Sequence, residues 1–321
     1  MKKTKRKKWT ILEVVIFIFL FAYSISMFLP IIFGALTSLK QILDFGAIGK
    51  NVLGLPNMEA WEKYELDYPG NIFGNYLFSF KFFEISQTKT YISGIFNKQL
   101  VIDKATKVGF MGCLTNTLLY AGIGSLISAF APMLAAYLCA MYKNKMASVI
   151  YAIVLFVMVT PLVGTQPASI DLYRQLGLYN SMFGRYIGMF SFTNMYFLIF
   201  YAFFYGLSTS YVEAAEIDGA SQMRTMVQIC FPLARVVFFT VVLMIFIEYW
   251  NDYNTPLLYL PTYPTLAYGV YYVTEMTSGT LMNETPRKVA LLMTFALPIL
   301  ILFIIFKKQL MGNLTLGGVK E

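Results

Sequence analysis

Histidine is absent from the 321 residues. That removes imidazole acid–base chemistry, histidine metal sites and any H-E-x-x-H protease in one step. Cysteine is scarce, and Cys113, Cys139 and Cys230 show no paired spacing, so neither a disulfide framework nor a zinc site is expected. Charge is scarce as well. Only 13% of the residues are charged and 58% are hydrophobic, whereas soluble domains carry about 25% charged residues. No G-x-x-x-x-G-K-(S/T) run occurs. A nucleotide cradle of that kind needs the glycine-rich turn and its lysine, so ATP chemistry is not expected from this chain.

What is present is apolar sequence in long runs, to be counted in spans of roughly 20 residues. The net charge is +8. Its basic residues concentrate at the N-terminus and in short polar connectors, which membrane topology explains better than nucleic acid does. Residues 2–8 hold six Lys or Arg. They form a tail, 1–8, ahead of an apolar run over Trp9–Leu36 that is too long for a signal-peptide core and is followed by no convincing cleavage site. It reads as an uncleaved first helix with its N-terminus in the cytoplasm. Glu13 is expected to snorkel or to pair with the basic tail, and Pro30 to kink the outer part.

Residues 37–107 form a long mixed segment with charges at Lys40, Asp44, Glu59, Glu62, Asp67, Glu84 and Asp103 and an aromatic cluster over Phe78–Phe83. A connector this long is seldom structureless. A small folded extracytoplasmic insert is expected, its aromatics serving a local core or the membrane interface. The core of the chain, 108–306, holds five more spans. The second, Val108–Met141, is rich in small residues (Gly109, Gly112, Gly122, Gly124, Ser125, Ser128 and Ala129) and is expected to be buried among other helices, bent at Pro132. The third is Ala147–Val163, ending near Pro161. An amphipathic connector covers 164–186. The fourth is Tyr186–Leu207, the fifth Leu233–Tyr253 and the sixth Val289–Phe306, closed by Lys307 and Lys308 before a tail over 307–321. Between the last two lies a polar, aromatic loop, 254–286. Lys143 and Lys145, Arg224 and Arg235, and Lys307 and Lys308 all fall on one side, the cytoplasmic one by the positive-inside rule. Both termini are then cytoplasmic. Asn283-Glu284-Thr285 and Asn313-Leu314-Thr315 match the glycosylation pattern only by chance.

One polar interruption, within 208–232, stands apart. It reads Glu213-Ala214-Ala215-Glu216-Ile217-Asp218-Gly219, nine residues, then Ile229-Cys230-Phe231-Pro232. Glu213 suits the positive end of a helix dipole, and the alanines leave a surface that a partner can approach closely. Gly219 can adopt the left-handed conformation that ends one turn and starts another. Pro232 suits a first turn or a kink at the start of the fifth span. Two readings stand: a helix–turn–helix that docks a partner on the inner face, or an ordinary polar loop.

The interruption resembles the E-A-A-x-x-x-G-x9-I-x-L-P loop in the membrane subunits of bacterial ABC importers, with Phe231 where the family usually has Leu. Leu172-Tyr173-Arg174-Gln175-Leu176-Gly177-Leu178-Tyr179-Asn180-Ser181 is similar to the L-x-x-x-L-G-L-x-N-(S/T) connector of carbohydrate permeases. Tyr249-Trp250-Asn251-Asp252-Tyr253 resembles the W-N-(D/E)-(F/Y) that follows their fifth span. The ending Gly317-Gly318-Val319-Lys320 looks like the tail of the smaller permease of the maltose transporter family. These features cover about residues 108–321, and nothing in the resemblance maps onto the insert.

The resemblance implies an all-α membrane protein: six transmembrane helices of the type I ABC importer permease fold, with an enlarged extracytoplasmic insert between helices 1 and 2, in a bacterial inner or plasma membrane. It implies no enzyme activity of the chain's own and no cofactor in it. ATP and Mg would sit on two partner ATPase subunits. The other partners would be a second, larger permease, an extracytoplasmic solute-binding protein, a sugar or oligosaccharide, and membrane lipid. Glu213, Ala214, Ala215, Asp218, Gly219, Arg224, Ile229 and Pro232 would couple to an ATPase. Sugars bind to aromatic faces, amides and carboxylates. Asn116, Tyr120, Asn194, Tyr196, Glu248, Trp250, Asn251 and Tyr253 are therefore candidates for the substrate pathway, with hydrogen bonding between helices as the alternative. Tyr259, Tyr263, Tyr268, Tyr271 and Tyr272 either contact the binding protein or form an interfacial tyrosine belt. Two rival functions need other features. An ion-coupled carrier calls for titratable residues in mid-span and an internal repeat. A membrane-embedded glycan or lipid transferase calls for a clustered acid, histidine or metal set. Neither pattern is seen.

Overall fold

The computed structural model describes residues 10–46, 51–63, 71–88, 105–142, 144–160, 164–208, 210–276 and 284–312. The basic residues 2–8, Trp9, Asp67, Asp103, Lys143, Pro161, Asn283, Asn313 and the Gly317–Lys320 ending lie outside them. Among the described residues, four helices are long and apolar enough to cross a membrane: Ile11–Ser38, Phe110–Met141, Gln222–Asn251 and Thr285–Ile305. Lys145–Val159 and Tyr196–Tyr205 are shorter apolar helices.

The first compact unit takes residues up to Phe83 together with Val273–Leu297. Its helix Ile11–Ser38 begins on a capping box. Thr10 Oγ1 accepts from the Glu13 backbone N–H at 3.3 Å, and Thr10 N–H donates to Glu13 Oε2 at 2.7 Å, which satisfies two of the orphan donors of a helix start. Glu13 therefore has a local structural task at the helix start; the basic tail expected to pair with it lies outside the described residues. The helix continues through Pro30 to Ser38. Its C-terminal end is tied by the segment that follows: Asn75 Nδ2 donates to the Ser38 and Lys40 carbonyls at 2.8 and 2.7 Å, and Trp61 Nε1 to the Leu39 carbonyl at 3.1 Å. These donors serve carbonyls that a helix C-terminus leaves unsatisfied. Trp61 is buried and lies so close over Gly74 that a Cβ there would meet its ring at 2.5 Å. Lys40 is buried too. Its ammonium donates to the Val52 carbonyl at 2.7 Å and faces the Phe33 and Phe45 rings. Burial holds it below the usual lysine range, with Asp44 acting the other way. In the same unit, Arg287 stacks on Phe78 at 3.5 Å and Phe83 packs edge-on against Phe295.

The second unit takes residues 84–272 and 298–321. Strands Glu84–Thr88 and Ala105–Gly109 pair antiparallel, with Glu84 opposite Gly109. The helix Phe110–Met141 then begins two residues later than the span expected from Val108. It packs on Tyr196–Tyr205 and Gln222–Asn251 around Ala129, Met133, Ala136, Tyr137, Phe197, Phe200, Phe204, Ala234, Val241 and Ile245. Small residues on one helix meet phenylalanines on another, which permits close packing without polar contacts. Pro132 has no N–H to give the Ser128 carbonyl one turn back. Asn194 Nδ2 supplies the missing donor at 3.3 Å.

Several expected boundaries are corrected here. The fourth span, Tyr186–Leu207, is not one helix: Met182–Met189 and Tyr196–Tyr205 are separated by 190–195. Ser191 Oγ meets Thr193 Oγ1 at 3.1 Å, and Asn194 Oδ1 accepts from the Tyr196 N–H at 3.1 Å, so short polar side chains replace the helical ladder locally. The fifth span does not start at Leu233, because its helix runs from Gln222 to Asn251. The last helix extends from Thr285 past Lys307 and Lys308 to Gly312. The loop at 254–286 contains helices Asn254–Tyr259 and Leu266–Tyr271.

Candidate functional site

The polar interruption folds as a helix–turn–helix. Ser210–Ile217 is helical, with Glu213 in its first turn. Gly219 has φ 75°, the left-handed region that side chains beyond Cα disfavour. It ends the helix in a wrapped turn: Gly219 N–H donates to the Glu216 carbonyl and Ala220 N–H to the Ala215 carbonyl, at 3.0 and 2.9 Å. Ser221 caps the next helix by accepting from the Arg224 N–H at 3.4 Å, and Arg224 Nε donates to Gln228 Oε1 at 2.8 Å. Ala215 and Thr225 are buried, while Glu213, Ala214, Asp218, Gly219 and Arg224 are exposed. Two apolar side chains are turned outward as well, Ile217 at 86% exposure and Met223 at 66%.

Pro232 falls in the first turn of the α-helical segment Phe231–Asn251, as expected, but that segment continues a longer helix. It sits inside the Gln222–Asn251 helix, directly after a π-helical stretch, Met226–Cys230. A proline ring crowds the carbonyl four residues earlier and cannot bond to it. The wider π turn relieves both problems. Ile229 is partly buried, and with Pro232, Tyr211, Gln228 and Arg235 it lines an open groove of about 520 Å³ beside the turn.

The candidate pathway residues fall into separate places. Tyr120 lies on a second π-helical stretch, Leu118–Ile123, is fully buried, and donates to Asp252 Oδ2 at 2.7 Å. Tyr249 OH meets Ser128 Oγ at 2.8 Å and its ring lies 5.4 Å from that of Tyr120. Tyr196 OH donates to Glu248 Oε2 at 3.3 Å. Asn194 serves the Ser128 carbonyl, Asn251 Nδ2 donates to its own helix at the Ile247 carbonyl, and Asn116 Nδ2 donates to the Pro264 carbonyl. Trp250 is buried against Phe246. Of the loop tyrosines, Tyr259 and Tyr268 are buried, Tyr271 and Tyr272 are partly buried, and Tyr263 is exposed. Tyr253 stacks on Tyr271 with ring centroids 4.7 Å apart. Arg185, Tyr173 and Asp252 belong to the Tyr120 group; Tyr173 and Asp252 stand in sequence only as members of the connector and W-N-(D/E)-(F/Y) motifs, and Arg185 is missed there. The available signal was a pair of arginines, Arg174 and Arg185, in an otherwise cation-free stretch between two apolar runs.

With this geometry in place, the known proteins that resemble the chain can be set beside it. Residues 128–314 match the family described as "Binding-protein-dependent transport system inner membrane component". The melibiose/raffinose/stachyose import permease protein MelC of Bacillus subtilis is 26% identical over 217 residues, 64% of this chain and 74% of that protein. A probable starch degradation products transport system permease protein, AmyC of Thermoanaerobacterium thermosulfurigenes, is 25% identical over 244 residues, 70% of this chain and 82% of that protein. The fold is shared with a chain in the crystal structure of a bacterial ABC transporter involved in the import of the acidic polysaccharide alginate. The TM-score is 0.68 at 20% identity, over 94% of this chain and 99% of the other. The matched residues contain the helix–turn–helix, the groove beside it and the three-helix core, and the chain belongs to the family of inner membrane components of binding-protein-dependent transport systems.

Proposed function

We propose that this chain is one permease subunit of an ATP-driven, binding-protein-dependent importer of a sugar or oligosaccharide. It would form the pathway with a second, larger permease and couple to two cytoplasmic ATPases through residues 213–232. The single observation that carries this is the helix–turn–helix, which presents Ile217 and Met223 outward and continues without a break into the Gln222–Asn251 helix. Singly exposed apolar residues are ordinary, but Ile217 and Met223 flank one tight turn with exposed Ala214, a setting that suits contact with another protein. Here that surface is joined directly to a long helix, so displacement of the turn moves the helix with it.

The carbohydrate cargo is supported by MelC and AmyC, whose names specify sugars and starch fragments. Six crossings are reached when the two shorter apolar helices join the four long ones. Lys145–Val159 is about 22 Å long, and Met182–Met189 with Tyr196–Tyr205 adds two pieces of about 12 and 15 Å. The broken fourth span then resembles the interrupted helices that carriers place beside their pathway. In this arrangement both termini and the helix–turn–helix face the cytoplasm, and the insert faces outside. ATP and Mg belong to the partner subunits.

The test is ATP-dependent uptake by the reconstituted importer. Glu213→Ala or Gly219→Pro should abolish uptake and uncouple ATP hydrolysis from the binding protein, while the chain still inserts. Normal uptake in both variants would remove the docking assignment.

A further inference from the structure

Two arginines of the second unit stand on tyrosine faces without their full set of hydrogen bonds. Arg185 lies 5.4 Å from the Tyr259 ring and Arg174 4.9 Å from the Tyr179 ring. The Nε of each is buried and has no hydrogen-bond partner among the described residues. A buried N–H left unmet is rare in native proteins and calls for an explanation. No ion pair explains it. Arg185 has none among the described residues, and Arg174 has only a long, half-exposed contact to Asp171 at 3.7 Å. The nearby acid, Asp252, is already engaged on both oxygens, by Tyr120 OH at 2.7 Å and by the Thr255 N–H at 3.0 Å. Around Arg185 the lining is aromatic: Tyr120, Tyr173 and Tyr259 belong to one cluster, with Tyr173 and Tyr259 edge to face at 5.3 Å. Gly188 makes room for this packing, since a Cβ there would collide with the Tyr173 hydroxyl and meet Arg185 Nη1 at 3.4 Å.

We propose that Arg185 and Arg174, with the tyrosines they rest on, form a contact site for acidic glycans, those bearing carboxylates on the sugar ring. This rests on the sugar-import function proposed above. A guanidinium binds a carboxylate through two parallel N–H donors, one of them often Nε, and Nε is the unmet donor on both side chains. Tyrosine rings offer the flat apolar faces that sugars stack on. Arg174 lies on the connector after the third span and Arg185 in Met182–Met189, the first piece of the broken fourth span; the proposed topology places both toward the outside, where cargo arrives. Both Nε atoms are buried in this structure, while the Arg174 side chain is partly exposed, so the connector and the 254–263 loop must part around Arg185 for the acid to reach it.

The test uses the complete permease–ATPase complex in detergent without the binding protein, so that selection by that protein does not enter. Equilibrium dialysis compares a labelled uronic-acid trisaccharide with its methyl ester, which has the same rings and no charge. The acid should bind at least tenfold more tightly than the ester. Arg185→Gln should bring the acid down to the level of the ester and leave the ester unchanged, and Arg185→Lys should restore only part of the difference. Equal binding of acid and ester by the wild type would overturn the proposal. So would equal weakening of both in Arg185→Gln, which would make the arginine a packing residue. ATP-dependent uptake is followed in parallel with the binding protein present. A complex that imports neutral oligosaccharides but does not bind the acid refutes the acidic site alone, whereas one that imports no glycan refutes the sugar-import function and the site with it.

Discussion

At the scale of single residues, Gly219 and Asn194 show two kinds of constraint. Gly219 has φ 75°, and a Cβ added there would have nothing within 4 Å of it, so conformation alone restricts the site. A side chain in the left-handed region costs about 1–2 kcal/mol, and asparagine tolerates it better than most. Gly219→Ala should therefore lower uptake several-fold with the membrane level unchanged, and Gly219→Asn should lower it less, as read by transport in vesicles. Asn194 is restricted by a partner. Asn194→Leu removes the donor that replaces the missing Pro132 N–H at the Ser128 carbonyl. Loss of a buried partner costs about 1–3 kcal/mol, which should appear as a lower unfolding midpoint in detergent. The residue types here were legible in sequence: a glycine four after Ala215, and an amide inside an apolar span. The partners were not, because Asn194, Asn116 and Tyr120 bond to atoms at Ser128, Pro264 and Asp252, which local pattern does not bring together.

At the scale of elements, apolar runs located the long helices but not their breaks and joins. Hydropathy averages across Phe190–Asn194 and finds one span, whereas Ser191, Thr193 and Asn194 use their side chains to end one helix and start the next. It also separates the helix–turn–helix from the fifth span, although Gln222–Asn251 is one helix. Pro232 is the reason that join carries a π turn. Pro232→Ala restores the N–H and removes the crowding, so Met226–Cys230 should revert to the α register. The helix before it then rotates by about 100°, the angle of one residue in an α-helix. Spin-label distances from Met223 to the core should shift, and uptake should fall even though the helix itself is more stable. Unchanged distances would mean that the π turn is held by tertiary packing instead. The small-residue face of Phe110–Met141 was legible in part: Gly124, Ser125, Ser128 and Ala129 are buried, Gly112 and Gly122 are only partly so, and Gly109 ends the strand before the helix.

At the scale of the molecule, the topology makes a prediction that needs no transport assay. In a chain whose three cysteines are replaced by alanine, Ser221→Cys should react only with reagents that reach the cytoplasm. Leu53→Cys, exposed on the insert, should react with impermeant reagents from outside. The reverse pattern would invert the whole arrangement. The first unit, which joins residues up to Phe83 with Val273–Leu297, also bears on how the chain is made. The Gly34, Phe78 and Phe83 contacts wait for Met293, Arg287 and Phe295. Val273 comes 190 positions after Phe83, an interval that at 5–20 residues per second takes roughly 10–40 s to synthesise. Over that interval the first unit lacks Val273–Leu297, and Phe78 and Phe83 lack their Arg287 and Phe295 partners. Chains that stop before Val273 never complete it and should be the ones removed by membrane proteases, so that biosynthesis itself checks whether the C-terminal segment from Val273 onward has arrived.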